Sequence, residues 1–300
     1  MNRRTLLQST LAGALLGNAS FGQDTLEKER MKLQQSIASW CFMAAGEKWT
    51  LDKTCEVATQ LGCGSVELLP PSDFATLQKH GLTCAMAGNT MPGVFRTGFN
   101  NLKYHDELVE RTGKVIQACA AAKFPAVIGF IGYKHNVPDE PKSGLISRDD
   151  AVANSVAGLK RLMPLAEKMG VSVCIEHLNS RDGSHPMKGH PGYQGDDLDL
   201  VAEVIRKVGS KRCTLLFDIY HVQIMHGDVI RRLEECRDII GHIHTAGNPG
   251  RGELDDDQEV NYKAIAKKLK EMNYPGYVGH EFIPTRNPLE GLKQAVGLFA

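Results

Sequence analysis

The chain of 300 residues lacks a charge of its own: Lys and Arg number 35, and so do Asp and Glu. That balance gives no electrostatic reason to expect a nucleic acid or a membrane surface as partner. The chain also lacks any run of about 18 uninterrupted apolar residues, which excludes a good membrane-spanning helix. It has no GxGxxG turn after an early strand, the signature that a doubly wound dinucleotide-binding sheet would carry. Among its eight cysteines there is no CxxC pair. Cys174 and Cys213 sit in apolar, strand-like runs, and Cys55 and Cys119 in helix-like ones. A chain of this length builds a core without staples, so buried thiols rather than disulfides are expected.

What is present begins with a leader. "MNRRTLLQSTLAGALLGNASFGQ" has a charged start, a mildly apolar run of small residues and a small-residue cut near residues 20–22. That is the layout of an export signal. Arg3 and Arg4, ahead of Thr5, Leu6, Leu7 and Gln8, resemble a bacterial twin-arginine signal. The expected division is a signal over residues 1–23, a polar linker over 24–33 and one domain over 34–300, exported to the periplasm.

From residue 34 a rhythm sets in. Short β-like runs ("QQSIASWCF", "GSVELLP", "LTCAMAGN", "FPAVIGFIG", "VSVCIEHL", "CTLLFD", "IIGHIHTAG", "YVGHEFIP") alternate with helical segments. The helices open on caps such as Thr50 or Ser147 and close on glycines such as Gly62 and Gly170. The β-like runs are too apolar for a sheet with one wet face, so helices must cover them. Regular alternation implies parallel strands joined by right-handed crossovers. Eight such units in about 265 residues predict an α/β fold, a (β/α)8 TIM barrel forming one domain.

Active sites of such barrels lie at the C-terminal ends of the strands. Glu176 comes near the end of the fifth predicted strand, and Asp218 ends the sixth. His244 comes near the end of the seventh, and Glu281 near the end of the eighth. One acid at one strand end is as a rule a helix cap, and a lone His242 or His280 a satisfied core histidine. Four metal-capable side chains at one level on four consecutive strands are harder to explain as structure. Clustered buried carboxylates need a cation. Three carboxylates and one imidazole, with open positions for substrate or water, suit one divalent metal ion. Oxygen-rich ligation favours Mn2+ or Mg2+, and the imidazole is compatible with Co2+, Fe2+ or Zn2+.

At these residues the sequence resembles the xylose-isomerase-like TIM barrels, a superfamily of sugar isomerases, ketose 3-epimerases, inosose dehydratases and endonuclease IV. Within it, the match is nearest to hydroxypyruvate isomerase. "VELLPP", "EHLNSRD", "DIYHVQIMHGD", "GHIHTAGNPGRGELD", "VNY" and "GYVGHEFIP" follow that family's motifs in order. Three departures bear on the substrate rather than on the barrel or the metal. His244 stands where hydroxypyruvate isomerase has Gln and the ketose 3-epimerases have His. His177 follows Glu176 in place of Pro, and the insertion "GSHPMKGHPGYQGDD" after the fifth strand is long for that family.

The resemblance implies that Glu176, Asp218, His244 and Glu281 bind the metal. It makes Glu176 and Glu281 the acid–base pair, which removes a proton beside a carbonyl and returns it at the neighbouring carbon through a metal-stabilised cis-enediolate. It implies that His221 and Arg251 bind substrate oxygens, with Glu67 a further acid on the substrate side or just behind it. Arg181 and Asp182 stay open between site and surface, while His185, His190 and His226 are expected on loop surface. The implied activity is aldose–ketose-type isomerisation of a small hydroxy-carbonyl compound or sugar, with homo-oligomers allowed. The alternative is a ketose 3-epimerase or another sugar-active lyase or dehydratase of the superfamily. An alternative of another class is a non-catalytic sugar-binding protein of the cell envelope.

Overall fold

A computed structural model describes residues 32–89 and 95–300. The predicted signal over residues 1–23 and the linker as far as residue 31 lie outside the described residues. In chain order the elements begin with β1 (Gln34–Ala38), α1 (Ser39–Ala44), α2 (Leu51–Leu61), β2 (Ser65–Glu67), α3 (Phe74–Lys79), α4 (His105–Ala122) and β3 (Ala126–Gly129). There follow α5 (Arg148–Met169), β4 (Ser172–Glu176), α6 (Leu198–Val208), β5 (Cys213–Asp218), α7 (Ile219–Met225) and α8 (Val229–Glu235). The chain ends on β6 (Ile240–Thr245), α9 (Tyr262–Glu271), β7 (Tyr277–His280) and α10 (Pro288–Phe299). All strand pairs are parallel, in the order β2-β1-β7-β6-β5-β4-β3. The two edges meet through one short segment: Ser65 pairs with Thr83, Leu69 with Ala87, and Ala87 with Val127. Ala87 therefore pairs with β3 on one side and with the chain just past β2 on the other, and the sheet curls into the predicted barrel.

Local chemistry explains where elements start, stop and differ from expectation. Thr50 and Ser147 accept backbone N–H bonds at the starts of α2 and α5, while Gly62 and Gly170 end these helices in the left-handed region. The predicted strand "LTCAMAGN" is reduced to bridges. One cause is that Ser65 Oγ takes the Ala85 N–H at 2.8 Å, diverting it from the ladder. The predicted strand "QQSIASWCF" stops at Ala38, and Ser39–Ala44 turns into a helix whose first side chain donates to Glu67 O at 2.9 Å. The helix α7 was not expected. Asp218 starts it by accepting from Tyr220 N–H at 2.8 Å and His221 N–H at 3.3 Å.

Strands β3 and β5 are buried almost throughout, as strands covered by helices must be. All eight cysteines are buried, and none is paired with another. Among the described residues, no helix is long and apolar enough to cross a membrane.

Candidate metal centre and active site

Glu176 is the last residue of β4 and Asp218 the last of β5. His244 is the penultimate residue of β6, and Glu281 follows directly after β7. The ladder sets them level: Asp218 pairs with His244, and Glu281 N–H donates to Thr245 O at 2.9 Å. One ligand-capable atom from each of the four lies within 4.8 Å of the others, and all four residues are buried. The predicted convergence is thus present in the fold.

Beneath this centre lies its support. Alternate residues of a strand face the same way, so His242 enters the barrel one layer below His244. Both histidines donate Nε2–H to Glu67 Oε1, at 2.9 and 2.7 Å. Gly279 makes room for the pair, since a Cβ there would fall on Glu67 Oε1 and lie 2.8 Å from His244 Cδ2. With Nε2 committed, His244 presents Nδ1 to the carboxylates. Nδ1 is 2.6 Å from Glu281 Oε2 and 3.7 Å from Glu176 Oε1, yet it is out of line for a hydrogen bond and has no partner of that kind.

The charges of the centre do not balance on their own. Arg251 Nη2 donates to both Asp218 Oδ2 at 2.9 Å and Glu281 Oε2 at 2.6 Å. Burial alone would raise these two acids, but Arg251 and His244 hold Asp218 well below the usual carboxylate range and lower Glu281 too. Glu176 has no such cation, and burial lifts its carboxyl to about 7 despite the pull of His244. Burial opposes a charge on His244 as well, and the surrounding glutamates override it and raise the basicity of the ring. A divalent ion on Nδ1 would supply the positive charge these carboxylates draw there. Three carboxylates with one outward-facing imidazole nitrogen, its other nitrogen anchored on Glu67, are a donor set that fits such an ion.

A cavity of about 580 Å3 opens onto the centre. Its walls include Glu176, Glu281, His221 and Arg251, apolar surface from Leu68, Phe95, Phe130 and Leu178, and Trp40, Lys188 and His190. His221 Nε2 lies 3.1 Å from Arg251 Nη1, and the Asn179 amide 2.7 Å from His221 Nδ1. A guanidinium only donates, so His221 accepts through Nε2 and is neutral. Burial keeps it so, pushing its basicity well down. Three non-glycine residues on the cavity wall, Leu68, Lys188 and Arg251, have positive φ of 61°, 53° and 51°. Such strain is retained where the surroundings over-determine a geometry.

Not every expected residue takes its place in this cavity. Glu67 is no part of its wall and instead faces the two histidines. Arg181, Asp182 and His185 are exposed. His226 Nε2 accepts from Leu198 N–H at 3.1 Å, at the start of α6. His190 is the correction. Expected on loop surface, it lines the cavity, because its N–H donates to Asn179 O at 2.7 Å and turns the ring onto Phe95, 4.4 Å between centroids. Burial pushes its pKa down to about 4. Three contributors went unforeseen. Trp40 Nε1–H donates to Glu281 Oε1 at 2.7 Å. The Asn179 amide meets His221, and Tyr193 OH donates to Glu176 O at 2.9 Å, pinning the end of β4.

A curled parallel barrel with a buried Glu, Asp and His cluster at its C-terminal strand ends defines the class of protein. Residues 55–300 match the model of the xylose isomerase-like TIM barrel family, and the chain belongs to that family. It is 32% identical over 266 residues to a 2-oxo-tetronate isomerase of Cupriavidus necator, covering 83% of this chain and 93% of that one. It is 37% identical over 102 residues to a putative hydroxypyruvate isomerase of Drosophila melanogaster, but this match spans only 34% of the chain and 39% of the relative. Among solved structures, a 3-keto-D-glucoside 4-epimerase from E. coli superposes with a TM-score of 0.67 at 18% identity, covering 90% of this chain and 98% of that one. That likeness speaks to the fold alone.

Proposed function

We propose that the protein is a metal-dependent isomerase of a small hydroxy-carbonyl compound, acting through a cis-enediolate with Glu176 and Glu281 as the acid–base pair. The observation that carries this reading is that both glutamates belong to the four-residue centre and both line the same cavity. Glu176, Asp218, His244 and Glu281 would hold a divalent ion, which would supply Lewis-acid polarisation of neighbouring substrate oxygens. The remaining work falls to side chains. One glutamate takes the proton beside the carbonyl and the other returns a proton at the next carbon. Trp40 holds Glu281 in orientation through its N–H. Arg251 faces the oxygens on which negative charge develops, and His221, accepting from Arg251 Nη1 at 3.1 Å, orients the guanidinium on the cavity wall. The apolar wall of Phe95, Phe130 and Leu178 limits bulk water around the centre, which strengthens the electrostatic interactions of these charged groups. The named relatives, isomerases of 2-oxo-tetronate and of hydroxypyruvate, support a substrate of that size.

A second reading, epimerisation of a ketose, is favoured by His244 at the ligand position where ketose 3-epimerases carry His. The test is a screen in D2O with Mn2+-loaded protein over hydroxypyruvate, 2-oxo-tetronate and small ketoses. The first reading expects deuterium beside the carbonyl together with an aldose–ketose isomer. A C3 epimer as the product would decide for the second. No exchange into any compound would sink both and favour a binding protein of the envelope. We also propose export by the twin-arginine route, on the strength of the leader's Arg3 and Arg4.

A further inference from the structure

Two cations on the wall of the cavity differ in what they face. Arg251 is engaged by Asp218 and Glu281. Lys188 lines the same cavity, half-buried, with no carboxylate partner among the described residues. Its ammonium lies over the indole of Trp40, 5.1 Å from the ring centroid, and the same indole donates to Glu281 Oε1 at 2.7 Å. An unneutralised positive charge therefore stands one indole's width from the acid–base pair.

The loop that carries Lys188 is built for one orientation. Lys188 N–H donates to Ser184 O at 3.2 Å, Gly189 N–H to Asp182 O at 2.7 Å, and His190 N–H to Asn179 O at 2.7 Å. Tyr220 OH holds Met187 O at 2.6 Å. Lys188 itself is left-handed, with φ 53°, a conformation costly to a side-chain-bearing residue. At Gly189 a Cβ would come within 2.5 Å of Asn179 Oδ1 and Asp182 O, so the chain passes there only as glycine. This loop is also the insertion by which the sequence departs from hydroxypyruvate isomerase.

We propose that Lys188 sets the substrate class by binding the carboxylate of a small 2-oxo acid, so that acids are selected over the matching neutral ketoses. A phosphate is the poorer fit. It asks for several converging donors, and the backbone N–H groups of residues 188, 189 and 190 are all engaged within the loop. The inference rests on the isomerase reading for the ketone of its substrate, while charge selection is a property of the cavity that binding alone can measure.

The test is Lys188→Met, which keeps an apolar stem over Trp40 and removes the charge, with Lys188→Arg as the conservative control. Calorimetry on Mn2+-loaded protein compares erythronate, an unreactive acid, with erythritol. Kinetics compare 2-oxo-tetronate with erythrulose. Losing a charge-assisted hydrogen bond is expected to weaken erythronate binding and raise KM for 2-oxo-tetronate by roughly 10- to 100-fold. That loss should exceed the effect on erythritol or erythrulose at least tenfold, with Lys188→Arg restoring most of the preference. Equal losses for acid and neutral ligand would overturn the proposal, as would wild-type protein that prefers the polyol or a phosphorylated ketose. If no compound turns over but erythronate binding still depends on Lys188, the isomerase reading fails and this inference stands. Turnover without any charge preference sinks the inference alone.

Discussion

Glu67→Gln probes the support beneath the centre. Glu67 Oε1 accepts from both His242 and His244, while Oε2 has no hydrogen-bond partner. Burial works against a charge here, yet the two imidazoles hold the carboxyl well below its usual range. The charge fixes the His244 proton on Nε2 and raises the basicity of Nδ1, the atom turned toward Glu176 and Glu281. Glutamine keeps one acceptor and loses the charge. Removing an outer carboxylate of this kind costs roughly 10- to 100-fold in metal affinity, or about 1.4–2.7 kcal/mol. The new NH2 occupies a site with no acceptor, which costs a further ~1–3 kcal/mol of folding stability. Glu67→Ala is harsher, because it orphans two buried N–H groups at roughly that cost each. Calorimetric titration with Mn2+ reads the first effect, and urea unfolding of the metal-free protein reads the second. A folded Glu67→Gln protein that binds Mn2+ within about twofold of wild type would refute the reasoning, since a tenfold loss is the least it allows.

Glu281→Gln and Glu176→Gln each keep an oxygen ligand and lose a base, so deuterium wash-in should fall by roughly 10²- to 10⁴-fold while Mn2+ binding weakens only in part. Near-full exchange in either variant would remove that glutamate from the proton chemistry. Gly279→Ala pushes a methyl group into the Glu67–His244 pair, and overpacking of this kind should lower stability by roughly 1–3 kcal/mol and weaken Mn2+ binding with it. A thermal melt and a metal titration that both match wild type would show that the pair needs no such clearance. Replacing Arg3 and Arg4 with lysines should leave the protein in the cytoplasm on cell fractionation, whereas unimpeded export would point to a general secretory signal.

The barrel was legible because its information is local. Apolar runs of strand length, helix caps such as Thr50 and closing glycines such as Gly62 recur at regular spacing. Glu176, Asp218, His244 and Glu281 could be read from their common place at four strand ends. Residues whose partners lie far away in the sequence were less legible. Trp40 reaches Glu281 across 241 positions of sequence, and nothing near "SWCF" signals it. His190 and Lys188 face the cavity because the insertion folds back through backbone bonds to Asn179, Asp182 and Ser184, contacts that no periodicity encodes. The lost strand and the unexpected helix have a shared cause in side chains that compete for backbone groups. Ser65 thins the segment at residues 83–87, and Asp218 starts α7.

The central claim is that Glu176, Asp218, His244 and Glu281 hold one catalytic ion. The most direct measurement is anomalous diffraction at the manganese edge from crystals grown with Mn2+. The account predicts a single strong peak ringed by these four side chains at roughly 2.0–2.6 Å, with His244 contributing Nδ1. A peak at any other site, or none in protein that is fully active without added or retained metal, would contradict it.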